Sequence, residues 1–250
     1  AEDGARLHAW VGACMRRDAP VSELPDHLRA RGEALREVIH RPCGLMLLED
    51  EVAMGIHPES GRTVILGHDG ERRYPDEPGW IWGTADWAGY VEEYGTWDIV
   101  EIKTGSRPVP PAHRNAQLRF YIAAGILALD VPEGTGILAH ARARSDDSVD
   151  MITSDVRMTE LDALAYVAEL RAIMRRVDEA RAPIPGPHCH WCPATRSCPA
   201  VGKWLTGLAA DALPGKQRGN AGELGGLLAA AKSWTSEIQR ALFAMADQEP

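Results

Sequence analysis

The chain has 250 residues, 45% of them hydrophobic and 25% charged, with a formal net charge of −9. That length holds one large domain, or one domain with appendages, around an ordinary core. No apolar run approaches the roughly 20 residues that cross a bilayer, so a membrane-spanning helix is excluded, and the acidic balance excludes a protein that coats nucleic acid by bulk charge.

Residues 5–17 and 22–39 read as helices separated by the breaker Asp18-Ala19-Pro20. Leu7, Trp10, Val11 and Cys14 fall at helical spacing and make a core stripe, with His8 beside it. A lone helix histidine is ordinarily half-buried and hydrogen-bonded to backbone. From Gly44 to about Gly89 the pattern turns to strands, at Leu45–Ile56, Thr63–Gly67 and Ile81–Ala88, divided by turns such as His57-Pro58-Glu59-Ser60-Gly61. A strand at Asp98–Lys103 follows. A proline-bearing loop then leads into a helix from about Arg114 to Leu129. Gly136–Ala143 and Val149–Ser154 read as a closing strand pair, and Thr159–Ala182 as a helix with Leu161, Leu164, Val167, Leu170 and Met174 at core spacing.

The chemistry concentrates between Trp80 and Tyr121. Glu101 and Lys103 are two apart in a strand, so they project from one face while Ile102 turns into the opposite layer. Asp86 lies on the neighbouring strand, within reach of the same ion. Two carboxylates with a backbone carbonyl, that of Ile102, suit Mg²⁺ or Mn²⁺ rather than zinc. Gln117 and Tyr121 are four apart on one helix and share a face that can lean over the site. Hydrolysis of a phosphodiester needs such a set: a Lewis acid, an activated water, and neutralisation of developing charge.

Gly83-x-x-Asp86, Glu101-x-Lys103-Thr104-Gly105 and Gln117-x-x-x-Tyr121, in this order and in strand, strand and helix contexts, resemble the RecB-like branch of the PD-(D/E)xK nucleases. CRISPR-associated RecB-like exonucleases and many phage-encoded relatives belong to that branch. Gly4-x-x-x-His8 resembles its first motif, and Asn115 stands where the phage-type variant has an asparagine. The resemblance implies an α/β restriction-endonuclease-like core, with a mixed central sheet flanked by helices. It also implies His8 as a further metal ligand beside Asp86 and Glu101, Lys103 acting at the attacking water, and Gln117 and Tyr121 positioning substrate. The implied activity is DNA hydrolysis, as an exonuclease on single-stranded or duplex ends. Two rivals stand: a catalytically silent DNA-binding or assembly module of the same fold, and an unrelated hydrolase of small phosphoesters. Around the site Lys103, Arg107, Arg114, Arg119, Arg142 and Arg144 outnumber Glu101, Asp130 and Glu133, which makes this half locally basic.

A second informative stretch follows the breaker at 183–187. Cys189, Cys192 and Cys198 form Cys-x2-Cys-x5-Cys, a metal-ligand spacing. These cysteines resemble the C-terminal part of the iron–sulfur staple of the same relatives, which implies a [4Fe–4S] cluster whose fourth ligand comes from the N-terminal region. Cys43, in a turn, is the available candidate, while Cys14 reads as a small buried hydrophobe. Zinc held with His188 or His190 is the alternative. Five cysteines do not suit a disulfide framework and no signal-peptide pattern is present, so a cytoplasmic location is expected. The chain opens on Ala1 rather than Met, which suggests a piece of a longer protein. Residues 208–220 read as a linker, and 221–248 as a helix whose apolar stripe packs on this protein or on a protein partner. The expected division is a nuclease core over 1–182, a cysteine-rich metal module over 183–205, and a linker with trailing helix over 206–250.

Overall fold

The computed structural model describes residues 2–17, 19–39, 49–68, 74–92, 94–105, 108–143, 148–179, 182–186, 189, 192, 194–195 and 197–204. Cys43, His188, His190, Arg107, Arg144 and the expected linker and final helix lie outside them. The chain clusters into two units, residues 1–175 and 176–250.

In the first unit, α1 (Glu2–Arg17) and α2 (Asp26–Ile39) precede four strands, β1 (Glu49–His57), β2 (Arg62–His68), β3 (Ile81–Val91) and β4 (Thr96–Lys103). Then come α3 (Ala116–Leu129), β5 (Glu133–Ala143), β6 (Val149–Thr159) and α4 (Glu160–Glu179). The six strands form one sheet in the order β2-β1-β3-β4-β5-β6. All neighbours are antiparallel except β4 and β5, which pair in parallel from Thr96↔Glu133 to Lys103↔His140. A parallel pair needs a crossover, and α3 is that crossover.

The sheet carries a core on each face, which is the α/β arrangement expected. On one side Val52, Met54 and Ile56 of β1 pack with Leu118, Ile122 and Ile126 of α3. On the other, Val100 and Ile102 of β4 and Ala139 and Ala141 of β5 pack with Leu7, Trp10 and Val11 of α1 and Leu28 and Leu35 of α2. Helix α3 has almost no polar face because it is covered twice. It lies on the sheet, and the Tyr166 hydroxyl of α4 donates to the Ala116 carbonyl at 2.8 Å. Its start is fixed by Asn115, whose side-chain oxygen accepts from the Leu118 N–H at 3.0 Å. Asp130 ends it in the left-handed conformation, with the Val131 N–H returning to the Ile126 carbonyl.

Two expectations shift. Helix α2 begins at Asp26 rather than 22, because a residue before proline is kept out of the helical region and Leu24, ahead of Pro25, sits at ψ 146°. In α4 the inward residues are Ala163, Tyr166 and Val167, while Leu161 and Leu164 are exposed. Apolar residues run most of the way round that helix, so spacing alone does not choose the face.

Candidate active site

Strand β4 delivers Glu101 and Lys103 to the α3 face of the sheet, and Ile102 to the core under α1 and α2. The Lys103 ammonium donates to Glu101 Oε1 at 2.6 Å and to Gln117 Oε1 at 2.7 Å. Gln117 Nε2 donates to the Tyr121 hydroxyl at 2.9 Å, and that hydroxyl donates to the Thr84 carbonyl at 2.7 Å. A continuous polar chain thus runs from β4 through α3 to β3. Asp86 closes the other side. Its Oδ2 accepts from the Ile102 N–H at 2.7 Å, its own N–H lies 3.5 Å from Glu101 Oε2, and its Oδ1 is 3.4 Å from His8 Nδ1. His8, Asp86, Glu101, Ile102, Lys103, Gln117 and Tyr121 all line one cavity of about 830 Å³.

Local backbone geometry explains how Asp86 gets there. Ala85 packs in the α3-side core and Trp87, two residues on, in the α1–α2-side core. Strict pleat alternation therefore breaks at Asp86 between them. Opposite it on β1, between the pairs Asp50↔Trp87 and Val52↔Ala85, Glu51 adopts φ 52°, a left-handed conformation that a side chain normally avoids.

Two motif glycines have a steric reason. A Cβ on Gly83 would stand 2.7 Å from Tyr121 Cε1, so glycine lets the phenol lie flat against β3 and reach the Thr84 carbonyl. A Cβ on Gly4 would stand 2.9 Å from Thr104 Oγ1, so glycine lets α1 approach the end of β4 and bring His8 to Asp86.

Glu101 is 2% exposed, and burial pushes its carboxyl up to about 7; the Asp86 carboxylate adds to the rise and Lys103 opposes it. Burial pulls the His8 imidazole down, but its hydrogen bond to Asp86 and the charges of Asp86 and Glu101 carry it above the ordinary value. Burial and the Glu101 charge raise the Tyr121 phenol well above the usual range. Among the described residues no three His, Cys, Asp or Glu side chains ring a common point ready to hold a metal. The carboxylate oxygens are engaged by the Ile102 N–H and the Lys103 ammonium. The donor set nevertheless fits a hard divalent cation. It offers two converging carboxylates and one imidazole, and an acid whose ionisation is opposed by burial and by the neighbouring Asp86 carboxylate.

Sequence reading missed Tyr74, Glu51 and Thr84 in the cavity wall. Tyr74 sits in an aperiodic Pro- and acid-rich segment and reaches the wall by bonding the Thr84 hydroxyl at 2.7 Å. Two of the arginines expected to make the surroundings basic have acidic partners. Arg119 meets Glu169 at 3.2 Å, and Arg142 bonds Asp150.

In the second unit the described cysteine residues make short-range backbone bonds. The Cys192 N–H returns to the Cys189 carbonyl at 3.2 Å and the Thr195 N–H to the Cys192 carbonyl at 3.1 Å. The Gly186 N–H donates to Cys189 Sγ at 3.3 Å. Cys189 is buried, Cys192 exposed and Cys198 half-buried, and none of the three is in a disulfide.

Comparison with known proteins adds three findings. A family model described as the PD-(D/E)XK nuclease superfamily matches residues 2–199. No curated protein matches the chain. Among solved structures, one titled "Crystal structure of SSO0001" is 18% identical, covers 70% of this chain and 79% of its own, and superposes with a TM-score of 0.38.

Proposed function

The chain belongs to the PD-(D/E)XK nuclease superfamily, and on that premise we propose that it is a Mg²⁺- or Mn²⁺-dependent deoxyribonuclease of the RecB-like branch, acting as an exonuclease on DNA ends. Members of the superfamily are generally phosphodiester hydrolases, so membership supports a nuclease-type function and contact with nucleic acid. The metal, the exonuclease action and the residue roles are our reading. The observation that carries it is the convergence of Asp86, Glu101 and Lys103 on one cavity, with the Asp86 N–H 3.5 Å from Glu101 Oε2 and the Lys103 ammonium 2.6 Å from Glu101 Oε1.

In this reading His8, Asp86, Glu101 and the Ile102 carbonyl hold the cation, which when bound supplies Lewis-acid charge to the phosphoryl oxygens and acidifies a water. Glu101 is buried beside the Asp86 carboxylate, so a cation shared between them would favour its ionised form. Lys103, released from Glu101, orients the water and offsets charge gathering on the phosphate. Gln117 keeps the ammonium aimed through its 2.7 Å bond, and Tyr121 fixes Gln117 by anchoring to the Thr84 carbonyl. The cysteine segment is a separate proposal: Cys189, Cys192 and Cys198 hold a [4Fe–4S] cluster with Cys43 as fourth ligand, or zinc in the alternative. The Cys-x2-Cys-x5-Cys spacing supports it. We retain the division into a core over 1–182, a cysteine module over 183–205 and a trailing segment over 206–250, with a protein partner for the last.

The test is cleavage of labelled single- and double-stranded DNA with and without Mn²⁺. Asp86→Ala and Lys103→Ala should each lower it by on the order of 10²-fold or more while leaving the circular dichroism unchanged. Cleavage that persists in both variants removes the site assignment. A wild-type chain that binds DNA but cuts with neither metal is the silent module.

A further inference from the structure

The residues just past Lys103 carry a feature that the catalytic set does not use. Arg31 of α2 is a guanidinium only 8% exposed, and its Nη2 donates both to the Thr104 carbonyl and, at 3.1 Å, to the Ala141 carbonyl of β5. His140 of β5, 2% exposed, has its Nε2 2.6 Å from the next carbonyl, that of Gly105. Two buried side chains thus hold two successive carbonyls, Arg31 from α2 and His140 from the face of the sheet onto which Lys103 projects. In a trans peptide the N–H is antiparallel to the carbonyl, so fixing the Thr104 carbonyl on Arg31 turns the Gly105 N–H the other way. Thr104 and Gly105 both line the cavity that holds Lys103. Among the described residues that N–H has no acceptor, although its peptide is fixed at the carbonyl end. A firmly held peptide with an unsatisfied donor at a cavity wall is arranged for an external acceptor.

We propose that the Gly105 N–H is a subsite for a phosphate oxygen of a nucleic-acid strand, aimed by Arg31 and His140 as positioning residues. The inference rests on reading the cavity as a nucleic-acid site and adds to it a specific backbone donor. A donor built from main chain reads no base, so the subsite fixes the strand's register and not its sequence. Arg31 acts through the peptide and does not touch the strand.

Gly105 permits a clean comparison, because a Cβ there meets nothing within 4 Å. Gly105→Ala keeps the N–H, and Gly105→Pro removes it. The probe is a fluorescein-labelled oligothymidylate bound to the full chain in chelator, followed by anisotropy at low salt. Loss of one charge-assisted hydrogen bond should weaken binding about tenfold or more in Gly105→Pro, and less than about threefold in Gly105→Ala. Equal losses in two variants that melt like the parent overturn the proposal. If Gly105→Pro does not fold, Arg31→Met takes its place, with a second strand carrying neutral methylphosphonate linkages. Neutralising the strand should then weaken binding more in the parent than in Arg31→Met, and an equal penalty in both overturns the proposal. Mn²⁺-dependent cleavage by the parent is scored separately. Absence of cleavage with these binding differences intact counts against the nuclease reading alone, and a parent that binds no strand overturns both.

Discussion

Glu101 is the residue on which burial and charge act most strongly. It titrates at about 7 in the folded chain, against 4.5 for an ordinary glutamate. Between those values the folded chain retains a proton that the unfolded chain has released. The contribution of Glu101 to stability, full below pH 4.5, is therefore lost as pH rises through about 7. Glu101→Gln cannot ionise. In chelator it should be more stable than the parent at slightly alkaline pH by on the order of 1–3 kcal/mol, with the gap closing towards pH 4.5. Thermal melts across that range measure the gap, and a gap independent of pH contradicts the assignment. Mg²⁺ should stabilise the parent at neutral pH and the variant hardly at all, because a ligand stabilises only the state that binds it.

At the scale of elements, the site depends on how closely α3 lies on β3. Gly83→Ala places a methyl 2.7 Å from the Tyr121 ring and should cost about 1–3 kcal/mol by overpacking, read as a lower urea midpoint. In a Tyr121→Ala background the same change should cost markedly less, because its nearest collision partner is gone and only the 3.3 Å approach to Phe120 Cε1 remains; an undiminished cost there means that the clash is elsewhere. The contact also explains what could be read in the sequence. Glu101, Lys103, Gln117 and Tyr121 sit in elements whose period fixes their facing, so their meeting was legible from spacing, whereas Asp86, where the pleat of β3 breaks, was legible only as a residue of the neighbouring strand. His8 was legible only through Gly4, because the glycine records a contact with Thr104 that spacing alone does not express. Glu51, Tyr74, Arg31 and His140 arrive through register, a loop and tertiary contact, and no local pattern marks them. The cysteine segment gives its own test. If thiolate-bound iron is present, anaerobically purified chain should absorb broadly at about 400 nm and Cys192→Ser should lose the band. A colourless, zinc-containing sample rejects the iron–sulfur assignment.

For the molecule as a whole, charge sets how it meets a polyanion. The net charge is −9, and two of the arginines that make the nuclease half look basic have acidic partners outside that stretch of sequence. Arg119 pairs with Glu169, and Arg142 with Asp150, contacts that a window counted along the chain between Glu101 and Arg144 does not include. Lys103 is held by Glu101. Each such pair must open, or share its cation, before a phosphate gains from it, so few condensed counterions leave the strand on binding. For single strands the slope of log K against log salt is about −0.7 per neutralised phosphate. We expect a slope no steeper than about −2 in chelator, far from that of a protein that coats nucleic acid. Divalent cation should strengthen binding by relieving the Asp86–Glu101 repulsion, with Glu101→Gln responding less than the parent. Anisotropy titrations in rising KCl measure the slope. A value steeper than about −4 would mean that an extended basic track, built from residues other than these pairs, holds the strand.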